Sequence, residues 1–309
     1  MANIDQHPST LRIWLTALRP FSFTVSVFPV VLGTVLAGYA GFDIHWLRFG
    51  VLVLAVVSVH AAANLLNDCV DYQRGVDQQV YPVSGAVVRG WLSAAQVRRV
   101  AIALLIVGGV LSLGLIWLSG VGLLLLVLVG LGFALGYTRS GWCLKYVGLG
   151  DPAILFAFGI LPVMASWWAQ AERFSLLALW WSIPSGLLAV AILHANNWRD
   201  CRHDAEKGCR TLAVRLGPQG CRRYWQGLMT LPTLLVAMAV LFDWLLDGGV
   251  YAPAGTLMVL LLAPALVQLI RVDWSQHPEQ LAALDARVAR FHTGFTFLLC
   301  LGFVLAWLS

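Results

Sequence analysis

Nine long, unbroken apolar runs restrict this chain more than any other feature. They cover roughly residues 22–41, 47–67, 98–118, 121–138, 149–168, 176–197, 224–246, 252–271 and 289–308. Each is close to the length an α-helix needs to cross the ~30 Å hydrocarbon core of a bilayer. Lipid leaves only helices and closed barrels as spanning structures, because every backbone polar group must be satisfied inside the protein. The runs are continuous rather than alternating, which argues against barrel strands. Only 11% of residues are charged and 60% are hydrophobic, whereas soluble domains carry about 25% charge. The expected fold is therefore an all-α membrane protein with nine transmembrane helices. No soluble domain is legible, so residues 1–309 are read as a single transmembrane domain.

The net charge of +5 does not point to nucleic acid. With a cytoplasmic N-terminus, eighteen of the twenty Lys and Arg residues fall on the cytoplasmic side, and only Arg48 and Arg173 fall outside. That bias is the positive-inside signature of a multi-pass protein in a cytoplasmic (inner) membrane. The first twenty residues are polar and lack a small-residue cleavage site, so the first run is expected to be an uncleaved helix. Eight tryptophans near run ends (Trp46, Trp117, Trp167, Trp168, Trp180, Trp181, Trp244 and Trp307) are expected to form interfacial belts. The six cysteines form no C-x-x-C pair, and Cys201, His203 and Cys209 lack zinc-like spacing.

Two acidic clusters stand at the ends of apolar runs: NLLNDCVDYQRGVD from Asn64 to Asp77, and NNWRDCRHDAEKG from Asn196 to Gly208. Asp68 and Asp71 stand at i, i+3, and Asp200 and Asp204 at i, i+4, so each pair shares a helix face. Carboxylates at the membrane are costly and read as functional. The clusters lie 132 residues apart, each after an even-numbered run. This suggests a duplicated four-helix unit, with pseudo-halves of about 1–148 and 149–309 and a ninth helix added to the second. Both clusters then share one membrane face and line a central cavity between the repeats. Four carboxylates around one space repel one another unless divalent cations bridge them to a phosphate. Magnesium suits this role, since it binds one or two carboxylates plus substrate phosphates. Asn64, Asn67, Asn196 and Asn197 offer neutral oxygen ligands, while Arg19, Arg139, Lys145, Lys207 and Arg210 are candidate donors to phosphate oxygens. Tyr72 and Tyr137 offer ring faces to a cation. His60 and His194, inside the second and sixth runs, are read as packing residues rather than bases. An ion-coupled transporter would place such carboxylates near the midplane on broken helices. Here they stand at run ends beside basic loops, and the outer connections are short, so an enzyme is favoured.

These motifs resemble the UbiA superfamily of intramembrane prenyltransferases. Asn67-Asp68-x-x-Asp71, continuing to Gly75-x-Asp77, is similar to the family's first aspartate-rich motif. Asn197-x-x-Asp200-x-x-x-Asp204 is similar to its second. RPFSFTVSVFPVVLGT, NDCVDYQRGVD and NNWRDCRHDAEKGCRTLAVRLG together resemble the 1,4-dihydroxy-2-naphthoate polyprenyltransferase branch of menaquinone biosynthesis. YPVSGAVVRGWLS, residues 81–93, departs from that branch's more Gly- and Arg-rich loop, near the expected acceptor. The resemblance implies two magnesium ions on Asp68, Asp71, Asp200 and Asp204, with Asp77 as a further ligand or as an aid to acceptor deprotonation. Asn64, Asn67, Asn197, Arg19, Arg139, Lys145, Lys207, Arg210 and Tyr137 would hold the diphosphate. The implied partners are an isoprenoid diphosphate, an aromatic acceptor and the lipid bilayer. Related enzymes use a hydroxybenzoate, homogentisate, a quinoline or a glycerol phosphate as acceptor, or cyclise a terpene without one.

Overall fold

A computed structural model describes residues 8–73, 85–138, 144, 148–246, 251–272, 274, 281 and 283–309. Its described residues are helical, with no strand among them. A short helix α1 (Thr10–Leu18) is N-capped by Ser9 and exposes Leu11 and Leu15. Arg19 ends it in the left-handed conformation (φ 54°, ψ 57°), and a 3-10 turn, Pro20–Phe23, leads into the first span. The spans are α2 (Thr24–Tyr39), α3 (Trp46–Gln73), α4 (Ala94–Ser119), α5 (Gly122–Thr138) and α6 (Gly150–Ala171). They continue with α7 (Leu176–Glu206), α8 (Leu212–Leu246), α9 (Ala254–Arg271) and α10 (Leu284–Leu308). Eight helical segments are long and apolar enough to cross a bilayer, and the shorter apolar α5 completes nine spans among the described residues.

Helices outrun the apolar runs at the polar ends. The sequence places a long polar stretch at 198–223, yet α7 continues to Glu206 and α8 starts at Leu212. Apolarity marks only the part in lipid, whereas the helix continues until a breaker. For α7 that breaker is Gly208 (φ 73°), where Cys209 N–H closes the end on the Asp204 carbonyl at 2.8 Å. The same extension carries α3 to Gln73. Asn64–Gln73 of the first cluster and Asn196–Glu206 of the second are therefore helical. In α8, Gly217 (φ 66°, ψ 178°) separates a short first segment from the membrane part.

Helices α3 with α4, and α7 with α8, form tight antiparallel pairs, while α10 packs on α9, α2 and α7. Between α2 and α6, which a duplication would make equivalent, the approach is very close. A Cβ added at Gly33 would lie 2.3 Å from the Val163 carbonyl oxygen. Thr34 Oγ1 and Ser166 Oγ are 2.7 Å apart, and Ser166 donates to the Val30 carbonyl at 2.6 Å. Without a hydrophobic force between helices in lipid, small residues and short polar contacts such as these hold the helices together.

Counting spans puts the ends of α3 and α7 on one membrane face, the acidic face. On the opposite face the loop after α2 is tied to the end of α6. His45 N–H donates to Gln170 Oε1 at 2.7 Å, and Arg48 donates to the Ala169 carbonyl (3.0 Å) and to Glu172 (2.7 Å). Arg173 stacks on Phe42 at 4.6 Å, and Trp167 Nε1 donates to the Arg173 carbonyl at 3.0 Å. Trp46, Trp117 and Trp244 are exposed as expected of a belt, but Trp167 and Trp181 are buried. Their indole N–H groups reach loop carbonyls (Trp181 to Tyr251, 3.2 Å), which lets the rings sit in the core.

Candidate active site

The first acidic cluster is built by two facing polar stripes. His60, Asn64 and Asp68 recur every four residues along α3, so they line one face over about 12 Å at 1.5 Å per residue. Opposite them stand Arg19, Ser22 and Ser26. Asp68, only 3% exposed, is ion-paired with Arg19. Asn64 Nδ2 donates to the Leu18 carbonyl at 2.9 Å and to Ser22 Oγ at 3.1 Å. His60 contacts Ser22 Oγ at 3.2 Å through Nε2 and Ser26 Oγ at 2.7 Å through Nδ1, with the rings of Phe23 and Phe158 edge-on to it. Arg19 Nε is buried with no hydrogen-bond partner among the described residues. Asn67 is half-buried and Tyr72 is exposed. Asp71 lies in the last turns of α3, but its side chain is outside the described residues, as is Asp77.

The second cluster lies on α7. Asp204 is 2% exposed, whereas the Asp200 side chain is 31% exposed and receives a bidentate pair from Arg199 at 2.9 and 2.8 Å. Arg199 also reaches Asp285 at the start of α10, at 3.6 Å. Asn197 is buried. Lys207 and Arg210 are exposed just beyond the helix end. Gly148, which closes the α5–α6 connection, abuts the Arg210 carbonyl and Arg215. This sets Gly148 against the segment after the second cluster. Arg139 and Lys145 lie outside the described residues, and so does the side chain of Tyr137 on α5.

His194 sits as a packing residue: it donates through Nε2 to the Cys221 carbonyl at 3.1 Å and packs against Tyr224. Tyr224 in turn donates to buried Asp151 at 2.8 Å, at the start of α6. Among the described residues no three His, Cys, Asp or Glu side chains converge as a metal site, and Cys201, His203 and Cys209 form none.

Helices α3 and α7 both pack on α2 and α6 rather than extensively on each other. The two acidic ends thus stand on separate helices that share α2 and α6 as neighbours. Sequence reasoning missed Arg199 and the serines facing α3. The signal for the serines was available, because Arg19, Ser22 and Ser26 follow the i, i+3, i+4 rule opposite residues with a four-residue repeat.

The model of the UbiA prenyltransferase family matches residues 26–294. The chain is 33% identical over 283 residues to UbiA prenyltransferase domain-containing protein 1 of Xenopus tropicalis, covering 90% of this chain and 80% of that protein. It is 32% identical over 260 residues to the 1,4-dihydroxy-2-naphthoate octaprenyltransferase of Escherichia coli (strain K12), covering 77% and 80%. The fold is similar to a UbiA homolog from Archaeoglobus fulgidus bound to DMAPP and Mg2+ (TM-score 0.61, 14% identity, 93% and 98% covered). It is also similar to the apo UbiA homolog from Aeropyrum pernix K1 (TM-score 0.64, 17% identity, 91% and 97% covered). Nine spans, two acidic helix ends on one face and sequence similarity along most of the chain agree: this protein belongs to the UbiA prenyltransferase family and is a prenyltransferase of the multi-pass membrane type.

Proposed function

We propose that this protein transfers a polyprenyl group from an isoprenoid diphosphate to 1,4-dihydroxy-2-naphthoate, with loss of carbon dioxide, in menaquinone biosynthesis. The acidic face points to the cytoplasm of the cell inner membrane. The observation that carries this reading is the pair of acidic helix ends on one face, with a buried Arg19 Nε that bonds no described residue. Similarity to the Escherichia coli relative, whose name states that acceptor, supports this choice.

The donors fit magnesium, since carboxylate and amide oxygens are hard ligands and one or two carboxylates plus substrate phosphates complete its shell. Asp68, Asp71, Asp200 and Asp204 would hold two ions, which neutralise the diphosphate's charge when bound. Arg19, Arg139, Lys145, Lys207 and Arg210 donate to diphosphate oxygens, with Asn64, Asn67 and Asn197 completing the cradle. Tyr137 would offer its ring face to the allylic cation that forms when the carbon–oxygen bond breaks and the electron pair leaves with the diphosphate. Apolar walls from α2, α3 and α6 keep water from the resulting cation until a ring carbon of the acceptor attacks it. Asp77 serves as a further metal ligand or takes the acceptor's proton.

Product analysis by mass spectrometry tests this reading. Purified protein receives magnesium, farnesyl or longer diphosphates, and a panel of aromatic acceptors. Prenylated, decarboxylated naphthoquinol is the expected product. A different prenylated ring would replace the acceptor, a cyclised terpene would remove it, and no diphosphate release from any pair would overturn the reaction.

A further inference from the structure

We propose that His60 is a positioning residue for Arg19, acting through Ser22, and that this polar stripe sets the affinity for the substrate diphosphate. The inference rests on the reading of Arg19 as a diphosphate donor.

The hydrogen bonds fix the direction of the relay. Ser22 Oγ donates to the Arg19 carbonyl at 2.8 Å, so its hydrogen is committed. Ser22 must then accept from Asn64 Nδ2 at 3.1 Å and from His60 Nε2 at 3.2 Å. With its hydrogen on Nε2, the neutral imidazole accepts at Nδ1 from Ser26 at 2.7 Å. Every bond in the relay has a donor and an acceptor, and all of them end on one short segment. The Leu18 carbonyl is held by Asn64 and the Arg19 carbonyl by Ser22.

That segment needs holding. Arg19 is one of two described non-glycine residues with positive φ, a conformation that side chains other than those of Asn, Asp and His seldom take. Pro20 follows it and denies the turn one backbone donor. The left-handed turn is what swings the Arg19 guanidinium onto Asp68 at the acidic face. His60 lies two helical turns from Asp68 and is buried, so it meets the substrate head only through the relay. Phe23 and Phe158 pack edge-on against its ring and hold it in register.

The test is a double-substitution cycle read by binding of geranyl diphosphate with magnesium and no acceptor, measured by calorimetry in detergent. Loss of one buried hydrogen bond predicts that His60→Leu weakens binding by roughly 5- to 10-fold. His60→Gln, which keeps a donor toward Ser22, recovers most of the loss. In an Arg19→Ala background, His60→Leu changes binding by less than about twofold, because two residues acting through one contact are not additive. If His60→Leu fails to fold, Ser22→Ala replaces it in the same cycle with the same expectation. An unchanged affinity in the single variant, or an equal further loss in the Arg19→Ala background, overturns the proposal and leaves Arg19 as donor intact. Wild-type protein that binds no geranyl diphosphate, or an Arg19→Ala variant that binds it normally, overturns the underlying reading and the relay with it.

Discussion

The two membrane faces of this protein are built on opposite plans. At the opposite face, the loop after α2 and the end of α6 are pinned by Arg48, His45, Gln170, Glu172 and a stacked Arg173. These contacts join short connections and tie backbone to side chain. At the acidic face, helices continue past the apolar region and carry the buried carboxylates Asp68 and Asp204 on separate helices. One face spends its polar groups on closure, and on the proposed function the other keeps them for a ligand. A carrier has to open at both faces in turn. A molecule pinned at one face and charged at the other suits chemistry on a substrate that presents its head group from one side.

The comparison breaks most sharply at the carboxylates. Asp200→Asn and Asp68→Asn should each lower turnover by roughly 100-fold or more, the scale of losing a group that stabilises developing charge, with the protein still folded by circular dichroism. Removing magnesium with EDTA should have the same effect, and turnover that survives EDTA would refute the metal role. Next comes packing at the shared wall. Gly33→Val places atoms on the Val163 backbone, and overpacking of this kind costs about 1–3 kcal/mol or more, visible as a lowered melting temperature in detergent. A smaller effect is expected for Arg199→Ala, which releases Asp200 from its bidentate partner and severs the link to Asp285. The KM for the diphosphate should shift severalfold, because removing the competing cation changes how Asp200 meets a ligand, and an unchanged KM would make Arg199 a surface pair only. The smallest effect is at the opposite face. Arg48→Ala should cost less than about 1 kcal/mol, as part-exposed ion pairs do, and leave turnover unchanged. Loss of turnover in that variant would mean that the pinned face takes part in the chemistry.

Much of this was legible before any coordinates. Continuous apolarity marks spans because lipid demands it, and the even-numbered placement of the clusters puts them on one face by counting alone. What escaped sequence reading depended on contacts between distant segments. Arg19 is a candidate diphosphate donor from sequence, but its pairing with Asp68 depends on the left-handed turn. Arg199 carried no spacing signal because its second partner, Asp285, lies on the last span. Hydropathy also misjudged helix ends, since α7 and α8 extend through residues polar enough to read as loop. Trp167 and Trp181 looked interfacial because side-chain chemistry alone does not say which face of a helix meets its neighbours. The expected roles of Asp71, Asp77, Arg139, Lys145 and Tyr137 rest on side chains outside the described residues.

The pinned face also gives the molecule a sense of direction that outlasts purification. On the proposed function, a water-soluble head group enters and leaves where the acidic helix ends emerge. Vesicles rebuilt with the protein in both orientations would therefore contain two populations. Diphosphate added outside would reach only the copies whose acidic face looks outward, while the rest would stay silent until the membrane was breached. The rise in turnover on adding detergent would then count the inward-facing copies, turning a fixed set of loop contacts into a measure of how the protein was inserted.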